Sequence, residues 1–406
     1  MRARRRDCSR ILPLIRLLVN LQAEIRTKTK TEPMPDYKIK EVVSRRDLNR
    51  FISFPDILYK DCPQYVPALH SEQRRSLTDG VSTARYCPHK LWTVEDGGKV
   101  VGRICAMINP RYNERYGTKR ARFGWFDTIN DLEVARLLIG TAETWARENG
   151  MDEIHGPLYY NTLGKQGMLV EGFDNLPQFN TIYNYPYYND LVAALGYEKE
   201  CDWVQYKMPA CQDIPEKVLR VARMLFDRYK LHEGSIDKMK KDPVMVKRFF
   251  DIYNESFSSA VQNFIPLTDE EMKEELGSVL NLLSDKTSVM ILDENDDLAA
   301  FAICFPSLSR ALQKVKGRLF PFGWIHMLKA FRSYELMDLM LNGAAGKYQN
   351  TGVSGLFQIG MSERCHKNGS IWTITNPQIE TNSAANAWNK FDHELYMRRR
   401  CYLKHL

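Results

Sequence analysis

The chain has 406 residues, 44% of them hydrophobic, and a formal net charge of +7. This length exceeds the size at which one hydrophobic core usually stops growing, and the composition excludes a disordered chain, so two domains are expected. The charge is concentrated in residues 1–33, where nine Lys or Arg stand against three acidic residues, which leaves +1 for the remainder. A nearly neutral body without a long basic run gives no reason to expect a nucleic-acid partner.

Residues 1–36 are predicted to be a basic extension, either disordered or wrongly included before a natural start at Met34. Their apolar run "ILPLIRLLVNL" is broken by Pro13 and Arg16 and is followed by no small-residue cleavage site, which argues against a signal peptide. No later segment approaches about 18 consecutive apolar residues, so neither a membrane span nor a membrane partner is expected. Nine scattered cysteines favour a reducing compartment, so the predicted location is cytoplasmic.

The extension contributes no predicted strand, because the first strand signal, "YKIKEVV", begins at Tyr37. We expect a chain that starts at Met34 to melt within about 2 °C of the full-length protein, since changes outside cores and caps usually alter stability by no more than ~0.5 kcal/mol. Thermal unfolding followed by circular dichroism measures the difference. A larger loss would show that the apolar run packs onto the body.

Two parts of the chain show the same order of predicted elements. The first begins with the hairpin "LWTVEDGGKVVGRICAMI" at residues 91–108, in which two strand signals flank an acidic Gly turn. After "RFGWFD" at Arg122–Asp127, a helix is predicted from Leu132 to a stop at Gly150. The short strand "EIHGP", an irregular stretch, a short helix and a closing strand complete this part.

The second part begins with the hairpin "SVMILDENDDLAAFAICF" at residues 288–305, followed by "PFGW" at Pro321–Trp324. An apolar strand, a helix that ends at Gly369, the short strand "SIWTIT" and a closing helix and strand follow. A connecting helix is predicted between the two parts. The predicted boundaries are an N-terminal domain over 37–208, a linker over 209–244 and a C-terminal domain over 245–406.

The stretch "GKYQNTGVSG", Gly346–Gly355, separates the apolar run "ELMDLMLNGAA" from the helix that ends at Gly369. A helix N-terminus offers unpaired N–H groups and a partial positive charge, and Gly allows the backbone to approach a pyrophosphate closely. By itself the loop also fits an ordinary polar turn. The strand before it, the helix after it and the segment Asn382–Trp388 favour an anion site.

The sequence "QNTGVS" resembles the cofactor signature Q/R-x-x-G-x-G/A of the GNAT (GCN5-related N-acetyltransferase) superfamily, with Gln349, Gly352 and Ser354 at its fixed positions. Ser354 departs from the Gly or Ala of that signature. Downstream, "IETNSAANAWNKF" looks like the family's strand, Asn and helix beside the thiol end of the cofactor. The resemblance covers residues 45–404 and is closest to a bacterial group with two GNAT-like halves. It implies two GNAT-like α/β domains, each a mixed, mostly antiparallel sheet flanked by helices.

The resemblance also implies that acetyl-CoA or another acyl-CoA binds once per chain, in the C-terminal half. The residues implied to bind it are Leu341, Gln349, Asn350, Thr351, Gly352, Val353, Ser354, Gly355 and Asn382. It suggests Glu380 as the catalytic base and Tyr402 as the acid, with Tyr396 as a competing choice for the acid. A backbone N–H near Leu341–Ala344 is the suggested donor to the oxyanion.

The corresponding place in the first half has no Gly after its strand, and Asp127 and Asp131 stand where an anion would bind. Asp131 is predicted to cap the following helix, so the first half is expected to have lost cofactor binding. The irregular stretch Gly156–Tyr188, rich in Tyr and Asn, fits a pocket lining. The predicted substrate-binding residues are Tyr159, Tyr160, Tyr183 and Tyr185. A long loop whose tyrosines only pack is the alternative.

Three functions stay open. The first is an acyl-CoA-dependent N-acyltransferase acting on an unidentified small-molecule or peptide amine. The second is a transferase that uses acyl-carrier protein or aminoacyl-tRNA as its donor, although the balanced body argues against tRNA. The third is a non-catalytic acyl-CoA-binding or scaffold protein. No G-x-S-x-G motif and no metal-ligand spacing occur in the sequence, so serine hydrolysis and a metal site are not expected.

Overall fold

The computed structural model describes residues 35–260, 264–275, 277–280, 282–381 and 391–406. The predicted extension lies almost wholly outside these ranges. Asn382 and the helix predicted to follow it also lie outside them.

The described strands and helices follow the predicted order in both halves. The strands are β1 Lys38–Glu41, β2 His89–Asp96, β3 Lys99–Met107, β4 Arg120–Thr128, β5 Glu153–Gly156, β6 Met168–Glu171, β7 Glu198–Pro209, β8 His232–Glu233, β9 Val289–Leu292, β10 Leu298–Pro306, β11 Leu336–Ala344, β12 Trp372–Thr375, β13 Gln378–Ile379 and β14 Glu394–His405. The helices are α1 Arg45–Leu58, α2 His70–Ser76, α3 Ser82–Tyr86, α4 Pro110–Tyr116, α5 Leu132–Glu148, α6 Tyr187–Ala194, α7 Glu216–Arg228, α8 Ile236–Met239, α9 Pro243–Ala260, α10 Asp269–Glu275, α11 Gly277–Leu280, α12 Ser309–Val315, α13 Gly323–Ala330 and α14 Leu356–Asn368.

Both predicted hairpins are confirmed. Strands β2 and β3 pair antiparallel around Gly97 and Gly98, whose positive φ angles of 52° and 80° are those a tight turn requires. Strands β9 and β10 pair antiparallel around Asp296, which has a φ of 60°. Helix α5 also ends as predicted, because Gly150 follows it with a φ of 76°.

One predicted correspondence between the halves is wrong. "RFGWFD" lies within β4, whereas "PFGW" lies at the start of α13, inside a pair of helices that connects β10 to β11. The two similar strings therefore occupy different places in their halves. The strand equivalent to β4 is β11, because each pairs antiparallel with the preceding hairpin strand and parallel with the strand that follows.

The strands form one mixed, mostly antiparallel sheet in the order β1-β2-β3-β4-β5-β14-β7-β12-β11-β10-β9-β8. Strand β14, the last of the chain, pairs with β5 of the first half, and β7, the last strand of the first half, pairs with β12 of the second. The two closing strands are thus exchanged between the halves and lie side by side. Each half completes its part of the sheet with a strand of the other, so we expect the halves to depend on each other for stability. The boundaries at 208/209 and 244/245 remain a prediction.

Two main apolar cores lie along the sheet, one in each half. In the described ranges, no helix combines the length and apolar character that crossing a bilayer requires.

Candidate functional site

The loop singled out in the sequence lies between a central strand and a helix, as predicted. Strand β11 ends at Ala344, whose backbone N–H and C=O both hydrogen-bond to the hydroxyl of Ser256 on α9, at 3.0 and 2.8 Å. The chain then makes two short 3₁₀ turns, Gly346–Tyr348 and Val353–Gly355, before α14 begins. These two hydrogen bonds fix the end of β11 to α9, so the start of the loop has a defined position.

Gly352 is the residue on which the shape of this loop depends. Its φ is 90°, a conformation that residues with a Cβ rarely adopt, and a Cβ there would lie 3.4 Å from Cδ1 of Leu225 on α7. Asn350 also has a positive φ, of 60°. The loop therefore turns sharply and leads directly into the N-terminus of α14, where backbone N–H groups and the helix dipole favour an anion.

The other predicted loop residues hold this turn together. Gln349 donates to the carbonyl of Ala344 at 3.3 Å, and the hydroxyl of Thr351 donates to the carbonyl of Tyr348 at 2.6 Å. Val353 is fully buried, so its side chain packs inward and only its backbone can face a ligand. The remaining positions of the turn are Ser354, whose side chain is not described, and Gly355, which donates to the carbonyl of Gly352 at 2.9 Å.

A mostly apolar cavity of about 660 Å³ lies beside the loop. Leu339 and Leu341 of β11 form one wall, and Phe357, Met361 and Cys365 of α14 form another. Leu341, predicted from the sequence to contact the cofactor, lies in this wall.

Strand β11 has a β-bulge beside the cavity. Leu341 pairs with Ile303 and Leu339 pairs with Cys304, so Met340 has no partner on β10. The parallel pairing of β11 with β12 also stops at Leu339. Peptide groups at a bulge lie outside the regular ladder, where they can serve a ligand. The oxyanion donor predicted at Leu341–Ala344 is therefore better placed at Met340, since the residues after the bulge pair with β10.

Asp338 is the functional candidate that the sequence analysis missed. It lies on β11 two residues before the bulge and is fully buried, and its carboxylate lies near the side chains of Gln178 and Ser307 without a hydrogen bond of good geometry to either. Burial raises its pKa to about 7, against a smaller opposing effect of Gln178 and Ser307. A buried carboxylate that titrates near neutral pH has the properties of a general base. The available signal was a lone Asp within the apolar run "ELMDLMLNGAA".

A buried polar cluster lies near Asp338, where the two halves meet. Gln178 of the irregular stretch donates to the carbonyl of Ile374 at 3.1 Å and accepts from Gln205 of β7 at 2.8 Å. Arg399 of β14 is fully buried and donates to Gln205 and, at 2.9 Å, to Thr181. Burial lowers the pKa of Arg399 to about 9. The two exchanged strands thus bring polar groups of both halves to the reverse side of the β11–β12 junction.

Glu380, the predicted base, lies just after β13 on the surface. Its carboxylate forms ion pairs with Lys199 at 2.7 Å and Arg398 at 3.6 Å, and its N–H donates to the carbonyl of Asp202 at 2.9 Å. None of these described contacts reaches the loop or the cavity. Its role as base stays a prediction. Asp338 is the carboxylate that β11 carries near the bulge, although the cavity itself is lined from this strand by Leu339 and Leu341 and not by Asp338.

The two tyrosines proposed as the acid occupy different positions on β14. Tyr402 is buried in the core of the first half and donates to Asn189 at 2.9 Å. Tyr396 donates to the carbonyl of Leu176 at 2.7 Å. Burial, with a further contribution from the charge of Asp338, raises the pKa of Tyr396 to about 12. Both tyrosines contact residues of the first half, and Tyr396 is the one that also feels the charge of Asp338.

The four tyrosines predicted to bind substrate do not share one site. Tyr159 and Tyr183 line a polar cavity of about 500 Å³ in the first half. Tyr160 is buried in a small apolar cluster, and Tyr185 stacks on Tyr187 with ring centroids 5.6 Å apart. The packing alternative therefore describes Tyr160 and Tyr185 better.

Asp127 and Asp131, the two acidic residues at the corresponding place in the first half, both make structural contacts. Asp131 caps α5 by accepting from the N–H groups of Glu133 and Val134, at 2.8 and 3.3 Å, which confirms the predicted N-cap. Asp127 is buried in β4 and forms an ion pair with Arg103 at 2.7 Å. A negative cap at this helix disfavours a pyrophosphate.

One group of possible metal ligands occurs in the described residues, namely His155, Glu200 and Cys401. Glu200 is already paired with Arg120 at 2.6 Å and with His155 at 3.0 Å. Because an arginine already neutralises its carboxylate, this group carries no case for a cation site.

Comparisons with known proteins agree with this geometry. No protein-family model matches the chain. Escherichia coli protein YghO is 30% identical over 301 residues, which are 71% of this chain and 73% of that protein. A bacterial ceramide synthase of Caulobacter vibrioides is 29% identical over 325 residues, 78% of this chain and 82% of that one.

A solved tandem GNAT protein from the clavulanic acid biosynthesis pathway, determined without AcCoA, superposes with a TM-score of 0.52. The match has 11% identity and covers 91% of this chain and 98% of that protein, so it concerns the fold. The chain therefore belongs to the family of Escherichia coli YghO, and its fold is that of a tandem GNAT protein.

Proposed function

We propose that the protein is an acyl-CoA-dependent N-acyltransferase that joins a long acyl chain to the amino group of a long-chain amino alcohol. The observation that carries this proposal is the mostly apolar cavity between β11 and α14, which is lined by residues on either side of the GNAT loop and by Leu339 and Leu341 beside the bulge. A ceramide is the amide of a fatty acid and a long-chain amino alcohol. The 29% identity to a bacterial ceramide synthase over most of both chains supports this class of amine.

The residues at the loop fit the pyrophosphate of a coenzyme A. Gly352 lacks a side chain at the turn, and the backbone of residues 352–355 leads into the N-terminus of α14. The cavity wall of Leu339, Leu341 and Phe357 fits an apolar chain. When bound, an acyl-CoA would supply the acyl group as an activated thioester.

Residues of β11 and β14 would carry the proton transfers and stabilise the negative charge of the reaction. Asp338 would accept a proton from the amine, since a carboxylic acid with a pKa of about 7 is substantially ionised at neutral pH. The backbone N–H of Met340, which lies outside the regular ladder, would donate a hydrogen bond to the thioester carbonyl oxygen as that oxygen becomes negative. We propose Tyr396, which lies near Asp338, as the acid that gives a proton to the leaving thiolate of coenzyme A. A cytoplasmic location belongs to this proposal, because eight described cysteines are free thiols, as a reducing compartment favours.

The direct test mixes the purified chain with palmitoyl-CoA and sphinganine. Mass spectrometry should detect the amide, and a thiol reagent should detect coenzyme A in equal amount. Coenzyme A release without an amide, or no turnover with any acyl length, would contradict the proposal.

Ser362 provides a test of the cavity itself, since it lines the cavity from α14. Ser362→Trp should lower palmitoyl transfer about tenfold or more while acetyl transfer is retained, because the indole occupies space that only a long chain needs. Rates with the two thioesters, measured side by side, give this ratio. Glu363→Trp is the matched control, because Glu363 is the next residue of the same helix and is exposed. An equal loss with both acyl lengths would count against the cavity as the acyl site.

A further inference from the structure

A pair of helices, α12 and α13, projects from the sheet between β10 and β11, and one side of it is fixed to the first half. The hydroxyl of Ser309 donates to the carbonyl of Pro177 at 2.7 Å, and the N–H of His70 donates to the carbonyl of Gly317 at 2.9 Å. Leu308 and Leu312 pack with Val66 in a small apolar cluster. The pair is therefore held in a defined orientation.

The opposite side of this helix pair exposes large apolar side chains. Phe320 is 80% exposed and Phe322 is 72% exposed, and both precede α13. Trp324 and Leu328 of α13 are 45% and 53% exposed. Four large apolar residues within nine positions form a concentrated patch, whereas exposed apolar residues elsewhere are normally scattered. We refer to these four residues as the aromatic patch.

Basic residues lie on both sides of the aromatic patch in the sequence, and no acidic residue lies near it there. Residues 298–334 contain neither Asp nor Glu. The exposed basic side chains of this segment are Arg310, Lys314, Lys316, Arg318, Lys329 and Arg332. None of the six forms an ion pair with a described residue, although most acidic groups elsewhere in the described chain are paired. The expectation of no membrane partner was based on the absence of a long apolar segment, and it did not consider an exposed surface patch of this kind.

We infer that the aromatic patch and its basic border dock onto an anionic lipid bilayer. Exposed Phe, Trp and Leu enter the boundary between headgroups and acyl chains, and surrounding Lys and Arg are attracted to anionic lipids. The charge is complementary to such a surface. An acidic protein partner would be attracted by the same charges, but it would not require two phenylalanine rings that stand almost wholly in solvent.

The helix pair that carries the aromatic patch lies close in the chain to residues of the candidate site. The helix pair leads into β11 at Leu336, two residues before Asp338. Ser309 contacts Pro177, next to Gln178 of the buried polar cluster. A docked bilayer would thus lie against the helix pair that precedes β11 in the chain. The docking experiment needs no substrate, so it can fail or succeed independently of the proposed reaction.

The test is sedimentation of the full chain with phosphatidylcholine vesicles, made with or without phosphatidylglycerol. We expect binding to the anionic vesicles that is about tenfold or more tighter than to the neutral ones and that weakens as salt is added. Replacing Phe320 and Phe322 together by Ser should lower binding about tenfold or more. Replacing Lys314 and Lys316 together by Gln should weaken binding to anionic vesicles and reduce its salt dependence.

Val43→Ser with Val244→Ser is the matched control, since these two side chains are 80% and 75% exposed outside the patch. This control should bind as the wild type does, and all variants should keep the wild-type melting temperature. Wild-type binding by the Phe320 and Phe322 variant, or no sedimentation of the wild type, would overturn the inference. Loss of self-association or of binding to an acyl-carrier protein in that variant, with vesicle binding unchanged, would assign the patch to that other partner instead.

Discussion

Replacing Gly352 by Glu should abolish acyl-CoA binding, with an affinity loss of about a hundredfold or more. Two effects add in this substitution. The φ of 90° strains any residue with a Cβ, and the carboxylate repels a pyrophosphate at the N-terminus of α14. Calorimetry with acetyl-CoA should give one site per wild-type chain and no measurable heat for the variant.

Gly369→Glu is the matched control for this experiment. Gly369 follows the other end of α14 with a φ of 67°, and a Cβ there meets nothing within 4 Å. Its backbone strain is comparable, but its position is distant from the loop. We therefore expect it to bind acetyl-CoA as the wild type does. Two equal sites in the wild type, or unchanged binding by Gly352→Glu, would refute the assignment of one cofactor site to the second half.

The parts of the fold that the sequence predicted correctly are those set by local chemistry. Both hairpins depend on turn residues beside alternating strands, and α14 depends on the Gly residues at its two ends. The exchange of β7 and β14 could not be predicted in this way. Either strand has the same sequence pattern whichever half it joins, and only the packing of the whole sheet decides between the two pairings.

The same distinction between local sequence and tertiary packing explains which residues of the candidate site were predicted. The loop at Gly352 was found because a strand, a Gly turn and a helix follow one another in the chain. Glu380 was suggested by the family resemblance, and its ion pairs with Lys199 and Arg398 involve strands that are distant in the sequence. Asp338 was missed because its burial, and therefore its raised pKa, depends on the packing around β11 and not on its neighbours in the sequence. "PFGW" was matched to "RFGWFD" by composition, although one lies in a helix and the other in a strand.

Replacing Asp338 by Asn should lower kcat/KM for acyl transfer by about 10²–10⁴, the usual contribution of a general base. The amide keeps the volume of the carboxylic acid but cannot take a proton. Rates with palmitoyl-CoA at saturating amine measure the loss, and Asp79→Asn, an exposed change distant in the sequence, serves as the control. The same assay on Glu380→Gln decides between the two carboxylates. A large loss there, with Asp338→Asn near wild type, would restore Glu380 as the base.

The pH dependence separates a catalytic role of Asp338 from a structural one. The unfolded chain releases this proton near pH 3.8, whereas the folded chain holds it to about pH 7. Between those values the folded state binds more protons, so this group lowers the free energy of unfolding as pH rises through the window. Activity should change in the opposite direction and rise through about pH 7, because only the ionised form accepts a proton. In Asp338→Asn, the rise in residual activity near pH 7 should disappear, and thermal stability at pH 8 should match or exceed that of the wild type. If Asp338 were needed only for folding, its replacement would lower both thermal stability and activity at every pH. Opposite pH dependences of activity and stability would therefore identify Asp338 as a base that lowers the stability of the fold.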